Sequence, residues 1–157
     1  MVKVLFVCTG NICRSPTAEV VFRARVADAG LAATIETDSA GLAAYHLGEP
    51  PDPRTQEAAA RRGHAMADLR ARQVKPADFK TFEWIVALDR SHLHGLRRVA
   101  PPGTQGQLYL LRDFSQKYPV GGDVPDPYYG GPADFEQVLD LVEDACDGLL
   151  AAVRATI

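Results

Sequence analysis

The stretch from Val4 to Pro16, VLFVCTGNICRSP, constrains this chain more than any other. Val4 to Val7 is a short apolar, β-rich run, the form taken by a central parallel strand covered on both faces. Gly10 and Asn11 are the residue types that most readily reach positive φ, so the chain can turn sharply just beyond the strand. Ser15 before Pro16 reads as an N-cap followed by a first-turn proline, which places a helix start directly after the turn. Strand, tight loop and helix N-terminus in succession make an anion site, because unpaired N–H groups and the helix dipole face back into the loop. A cysteine at the mouth of such a site, with an arginine nearby, is favoured as its thiolate.

The spacing of Cys8 and Arg14, with five residues between them, gives that thiolate a use. A loop of this length, Thr9, Gly10, Asn11, Ile12 and Cys13, can wrap its N–H donors around one tetrahedral oxyanion with the sulfur beneath. The planar fork of Arg14 can grip two equatorial oxygens, which lysine cannot do. Ser15 is near enough in sequence to give Cys8 a hydroxyl hydrogen bond. A structural cysteine ahead of a capped helix would account for Cys8 alone, and a bare C-x5-R is common by chance. The conjunction of strand, Gly-Asn turn, arginine and Ser-Pro is what points to attack of sulfur on phosphorus.

A chain of 157 residues is expected to form one domain, residues 1–157, with a real core. A net charge of −3 argues against nucleic acid as a general partner, so any phosphate affinity must be local. Three cysteines without a C-x2-C pair point to a reducing compartment and a cytoplasmic location. The apolar run at Val4–Val7 is too short for a signal segment or a membrane span, so no membrane partner is expected.

Further along, Ala18, Val21, Phe22, Val26 and Ala29 recur at helical spacing, and Gly30 is a natural stop. Ala33 to Thr37 predicts a second strand, leading into Asp38-Ser39, which alone would be read as a turn. The proline-rich segment Leu42–Arg54 predicts a loop carrying Tyr45 and His46, and Thr55 to Arg62 a short helix closed by Gly63. Trp84–Leu88 predicts a third strand, with Asp89 as N-cap of a helix reaching Val99, and Leu108–Leu111 a fourth. His92 and His94 make a poor metal pair and read as solvated surface residues, as do the arginine pairs Arg61-Arg62 and Arg97-Arg98. Arg112 to Gly131 is a long, and therefore suspect, loop. From Ala133, the residues Phe135, Val138, Leu139, Val142, Cys146, Leu149, Leu150 and Val153 mark the apolar face of a closing helix. Alternating strands and helices imply an α/β fold, an open parallel four-stranded sheet with helices on both faces and the phosphate loop after the first strand.

The segment from Cys8 to Glu19, CTGNICRSPTAE, resembles the signature of the low-molecular-weight protein tyrosine phosphatases. The resemblance continues in Asp38-Ser39-Ala40-Gly41, Ala71-Arg72-Gln73 and Asp126-Pro127-Tyr128-Tyr129-Gly130, and spans essentially the whole chain. It implies a monomeric phosphotyrosine phosphatase with inorganic phosphate as product and with neither cofactor nor metal. Cys8 would be the nucleophile, Arg14 the phosphate clamp and Asp126 the general acid and base. By the same resemblance Ser39 would hold Asn11, Tyr45, His46, Tyr128 and Tyr129 would wall the substrate cleft, and Cys13 would resolve an oxidised Cys8 as a disulfide. Two positions depart from the pattern: Tyr45 stands where tryptophan is frequent, and Leu69 where many relatives carry a histidine. Asp126 lies between Pro125 and Pro127, which would fix its direction; Asp123 is the lesser alternative.

Three other functions share parts of this pattern. Arsenate reductases use a similar loop but relay a disulfide through downstream cysteines, of which this chain has only Cys146. Phosphoarginine phosphatases tend to carry threonine at the position of Ile12. A phosphate-binding regulator without turnover would not need Cys8, Arg14 and Asp126 together.

Overall fold

The computed structural model describes residues 1–105 and 107–157. Strand β1, Val2–Cys8, is the centre of a four-stranded parallel sheet with order β2-β1-β3-β4, where β2 is Ile35–Gly41, β3 Trp84–Ala87 and β4 Leu108–Leu110. Both faces of β1 are buried, and the period-two alternation of a strand divides its side chains between two cores. Val4, Phe6 and Cys8 join Val86 and Leu88 against the helices α1, Arg14–Asp28, and α5, Pro132–Arg154. Leu5 and Val7 join Ile85 and Ala87 against the short helix α3, Asp78–Thr81, and against Leu96 of α4, Arg90–Val99. Helices therefore cover both faces, as a fully apolar strand requires.

Three expectations shift. The second strand begins at Ile35 and runs on to Gly41, because its pairing with β1 continues in register to Cys8↔Gly41. Asp38 and Ser39 are thus strand residues and not a turn, and Ser39 lies opposite Phe6, just below the loop that follows β1. Helix α2 runs Pro53–Ala60, two residues ahead of the expected segment at both ends, because the Asp52 carboxylate accepts from the Arg54 N–H at 2.8 Å and caps it. Arg62 is not a solvated residue: its guanidinium reaches Glu136 at 2.8 Å, Asp140 at 3.0 Å and Glu143, tying the end of α2 to α5. Cys146 is fully buried on the α5 stripe, where burial pushes its thiol well above the ordinary range. Among the described residues no helix is long and apolar enough to cross a membrane.

Because every strand runs the same way, Cys8, Gly41 and Ala87 end at one edge of the sheet. The chain leaves β1 toward β2 on one side and reaches β3 on the other, so the connectivity reverses at β1. Ligands of open parallel sheets bind outside the strand ends at such a reversal. The segment after Cys8 sits there.

Candidate active site

The loop after β1 is held from outside by its carbonyls. The Cys8 carbonyl accepts from Leu42 N–H at 2.9 Å, that of Thr9 from Ala43 at 3.0 Å, and that of Ile12 from Asp52 at 2.9 Å. Among the described residues no N–H of residues 9–13 donates to another backbone group. Turning the acceptors outward and leaving the donors inward makes the loop a cradle for an anion. Gly41 lets the neighbouring strand come this close: a Cβ there would stand 2.7 Å from the Thr9 carbonyl oxygen.

Asn11 sets the curl, with φ of 59°, in the left-handed region that side chains rarely adopt. Such a conformation costs about 1–3 kcal/mol and persists where surrounding contacts over-determine it. Here its carboxamide Nδ2 donates to Ser15 Oγ at 2.8 Å and to Ser39 Oγ at 3.0 Å, while Oδ1 accepts from Arg72 N–H at 3.0 Å. Ser39 in turn donates to the buried carboxylate of Glu19 at 2.6 Å, which also pairs with Arg23. Ser15 Oγ stands 2.9 Å from Cys8 Sγ. Since Ser15 already accepts from Asn11, its own proton is left for the sulfur or for the Ala40 carbonyl, and the carbonyl at 3.5 Å is the more distant acceptor, so the hydroxyl can support a thiolate.

Helix α1 starts one residue before the expected cap. Cys13 is the N-cap, its carbonyl accepting from Thr17 N–H and hydroxyl at 3.2 and 2.7 Å. Ser15 is therefore not the cap; its hydroxyl is turned onto Cys8. Burial pushes the Cys13 thiol up to about 12, with Thr55 pulling weakly the other way, so Cys13 is protonated beside Cys8.

Arg14 is 5% exposed. Its Nη1 donates to Asp89 Oδ2 at 2.7 Å and to the Val124 carbonyl at 3.0 Å, which uses both of that nitrogen's protons. Asp89 also caps α4, accepting from His92 N–H at 2.8 Å and the Ser91 hydroxyl at 2.6 Å through Oδ1. The same carboxylate thus starts a helix and anchors the arginine. Although burial opposes its charge, these donors hold the Asp89 carboxyl below the usual carboxylate range. Val124 is fully buried and hydrogen-bonded through its N–H to the Leu88 carbonyl at 3.0 Å, so the long loop is pinned where Asp126 follows. Asp126 lies over the cradle with Oδ2 3.7 Å from Arg14 Nη2, while Tyr128 N–H donates to its other oxygen at 3.1 Å. Asp123 points elsewhere and is engaged by Arg90 at 2.9 and 3.1 Å.

Cys8, Thr9, Gly10, Ile12, Cys13, Arg14, Tyr45, His46, Asp126, Tyr128 and Tyr129 line one open cleft of about 320 Å³. Asn11, Ser15 and Ser39 stand behind it as supports. Tyr45 and Tyr129 are exposed rims, and His46 is fixed by Glu49 at 2.5 Å. Leu69 packs on Val20, Ala59 and Met66. Among the described residues no cluster of side chains could hold a metal ion.

His92 is a correction: it is 1% exposed, not a surface residue, and reaches Thr9 Oγ1 at 2.9 Å and Arg14 Nη2 at 3.4 Å through Nε2. His94 is exposed, as expected. Asp89, His92, Glu19 and Arg72 were not singled out from the sequence as members of the site. Glu19 closes the signature segment, and Asp89 and His92 follow a parallel strand at its C-terminal end, which is the one sequence signal that could have marked them.

Fold and site together define an α/β protein with a tightly curled loop beside a thiol at the C-terminal edge of a parallel sheet. The family model described as low molecular weight phosphotyrosine protein phosphatase matches residues 3–157. A low molecular weight protein-tyrosine-phosphatase of Streptomyces coelicolor is 51% identical over 99% of this chain and 95% of its own length. The human low molecular weight phosphotyrosine protein phosphatase is 40% identical, over 94% and 93%. The crystal structure of an Entamoeba histolytica protein tyrosine phosphatase with Hepes in its active site superposes with a TM-score of 0.95 at 36% identity, covering 99% of both chains. The chain belongs to the low molecular weight phosphotyrosine protein phosphatase family, and is a hydrolase of that family.

Burial and the Arg14 charge push His92 down to about 4, against weaker pulls from Asp89, Asp126 and Asp123. The unfolded chain binds a proton there near pH 6.5 while the native state does not, so stability is lost as pH falls between those values. Chemical denaturation across pH 4–7 should show a decline of up to ~3 kcal/mol assignable to this residue, from roughly 1.4 kcal/mol per unit. His64, also depressed but only half-buried, adds a smaller decline of the same sign, so the difference between wild type and His92→Gln isolates the effect.

Proposed function

We propose that the protein hydrolyses phosphotyrosine in proteins, and small aryl phosphates, through a phosphocysteine intermediate. The observation that carries this reading is Cys8 Sγ at the base of a loop whose N–H groups donate to no other backbone group among the described residues, 2.9 Å from the Ser15 hydroxyl, with Asp126 lining the same cleft. Cys8 attacks phosphorus in line; the ester P–O bond breaks as a P–S bond forms, and Asp126 protonates the departing oxygen. Asp126 then takes a proton from water, which attacks phosphorus and releases inorganic phosphate and the thiolate. Arg14 and the loop amides hold the equatorial oxygens, where charge gathers. They take the place a metal would fill, so neither metal nor cofactor enters the scheme. Tyr45, Tyr128 and Tyr129 line the entrance, which suits a flat ring long enough to carry its phosphate to the loop floor. We take the working form to be a monomeric, single-domain enzyme of the cytoplasm, where the three free, buried cysteines remain reduced.

Cys8→Ser should abolish turnover of p-nitrophenyl phosphate while leaving the fold and phosphate binding intact, because a serine hydroxyl is not ionised by such a loop. Circular dichroism and phosphate titration check the second half; retained turnover would remove Cys8 as nucleophile.

For Asp126→Asn the expected loss is about 10²–10⁴ fold, the usual contribution of a positioned acid or base. It should shrink with leaving groups that depart unprotonated. The same pattern from Asp123→Asn instead would mean the acid is misassigned.

Peroxide should inactivate the enzyme reversibly. The sulfenic acid formed at Cys8 condenses with the Cys13 thiol, expelling water and leaving a disulfide that dithiothreitol reduces. Bound phosphate should slow the oxidation, and the Cys13→Ser variant should be lost to peroxide with poor recovery. Peptide mass spectrometry showing Cys8 joined to Cys146 would refute the pairing.

A further inference from the structure

His92 stands behind the cradle, buried and touching both of its ends, yet the scheme above gives it no part. Its ring nitrogens face opposite charges. Nδ1 is 3.3 Å from Asp89 Oδ1, too poorly aligned for a good hydrogen bond but close enough to feel the carboxylate. Nε2 is 3.4 Å from Arg14 Nη2 and 2.9 Å from Thr9 Oγ1. A guanidinium can only donate, so a proton on Nε2 would set two N–H groups against each other. A proton on Nδ1 instead faces a carboxylate and leaves the Nε2 lone pair for Arg14 and the Thr9 hydroxyl. The tautomer is thus set by the neighbours on either side.

Counting the arginine's donors shows what this does. Both Nη1 protons are committed to Asp89 and Val124. One Nη2 proton faces His92, which leaves the Nε–H and the remaining Nη2–H as the parallel pair able to grip a tetrahedral anion side-on. We propose that His92 is a positioning residue for the phosphate-binding arginine: its uncharged imidazole, wedged between Asp89, Arg14 and Thr9, turns the Nε/Nη2 edge of Arg14 toward the loop and ties Thr9 to the same frame. This role rests on the phosphatase reading, since it supposes that Arg14 grips the phosphoryl oxygens. A ring charged on both nitrogens would place a cation against the guanidinium and lose the acceptor. The depressed proton affinity of His92, driven by burial and by Arg14, keeps the ring neutral throughout the neutral range.

The test compares His92→Leu, which removes the acceptor, with His92→Gln, whose side-chain oxygen can take the place of Nε2. Loss of alignment of this kind is worth about 10–100 fold in kcat/KM for p-nitrophenyl phosphate, with kcat falling more than KM rises, and inhibition by inorganic phosphate should weaken alongside. His92→Gln should recover most of that loss. A leucine variant that is folded and within about 3-fold of wild type, well below the effect of misplacing a reacting group, would overturn the role, as would equal losses in both variants. If the leucine variant does not fold, nitrogen-15 NMR of the wild-type ring decides: Nδ1 protonated and Nε2 bare at pH 6.5 supports the role, and the opposite tautomer or an imidazolium refutes it. Wild type without aryl phosphatase activity would refute the phosphatase reading, whereas the NMR result bears on His92 alone.

Discussion

The site depends on the carboxamide of Asn11. A left-handed asparagine is what bends the chain tightly enough to bring Cys8 and Arg14 around one small volume, and that bend is held only because three hydrogen bonds meet on one side chain. At about 0.5–1.5 kcal/mol each, they are together comparable with or larger than the conformational cost. The bonds also have a direction. Glu19 accepts from Ser39, so Asn11 must donate to both serines, and Ser15 is left to donate onward. A buried carboxylate on the α1 face thereby sets the polarity of a hydroxyl at the sulfur several bonds away. Glu19 itself is pushed upward by burial, with Ser39 and Arg23 as the partners that offset this.

A second constraint is the burial of Arg14. A guanidinium this deep is tolerated only with its protons matched, and the matching groups come from two distant segments, Asp89 and Val124. Their geometry fixes which edge of the guanidinium remains free. Capping α4 and holding the arginine are one task for Asp89: a change that frayed the helix start would also loosen the arginine.

Much of this was legible in the sequence. Buried parallel strands announce themselves as short apolar runs, and the loop announces itself through Gly-Asn, Cys and Arg at fixed spacing. What could not be read had its cause elsewhere in the chain. Ser15 followed by Pro16 has the local form of a cap, but Asn11 and Cys8 claim its hydroxyl and the cap falls two residues earlier, at Cys13. Asp38-Ser39 looks like a turn because its strand is specified by pairing with β1 and not by its own composition. His92 looks solvated because two histidines near arginines on a polar helix usually are; its hydrogen-bond partner Thr9 is 83 positions away. Arg62 looks solvated for the same reason, its acidic partners lying on α5.

The parallel connectivity scatters the site along the chain. The thiol and the cradle lie in the first strand and its loop, the arginine's carboxylate follows the third strand, and the second carboxylate lies just ahead of the last helix. During synthesis, then, the cradle emerges long before its charge partners, and Arg14 stays solvated until the segment around Val124 has docked. Completion of the site therefore waits on the segment around Val124, and a chain cut short before that segment retains the signature without the carbonyl that helps hold Arg14 or the carboxylate of Asp126.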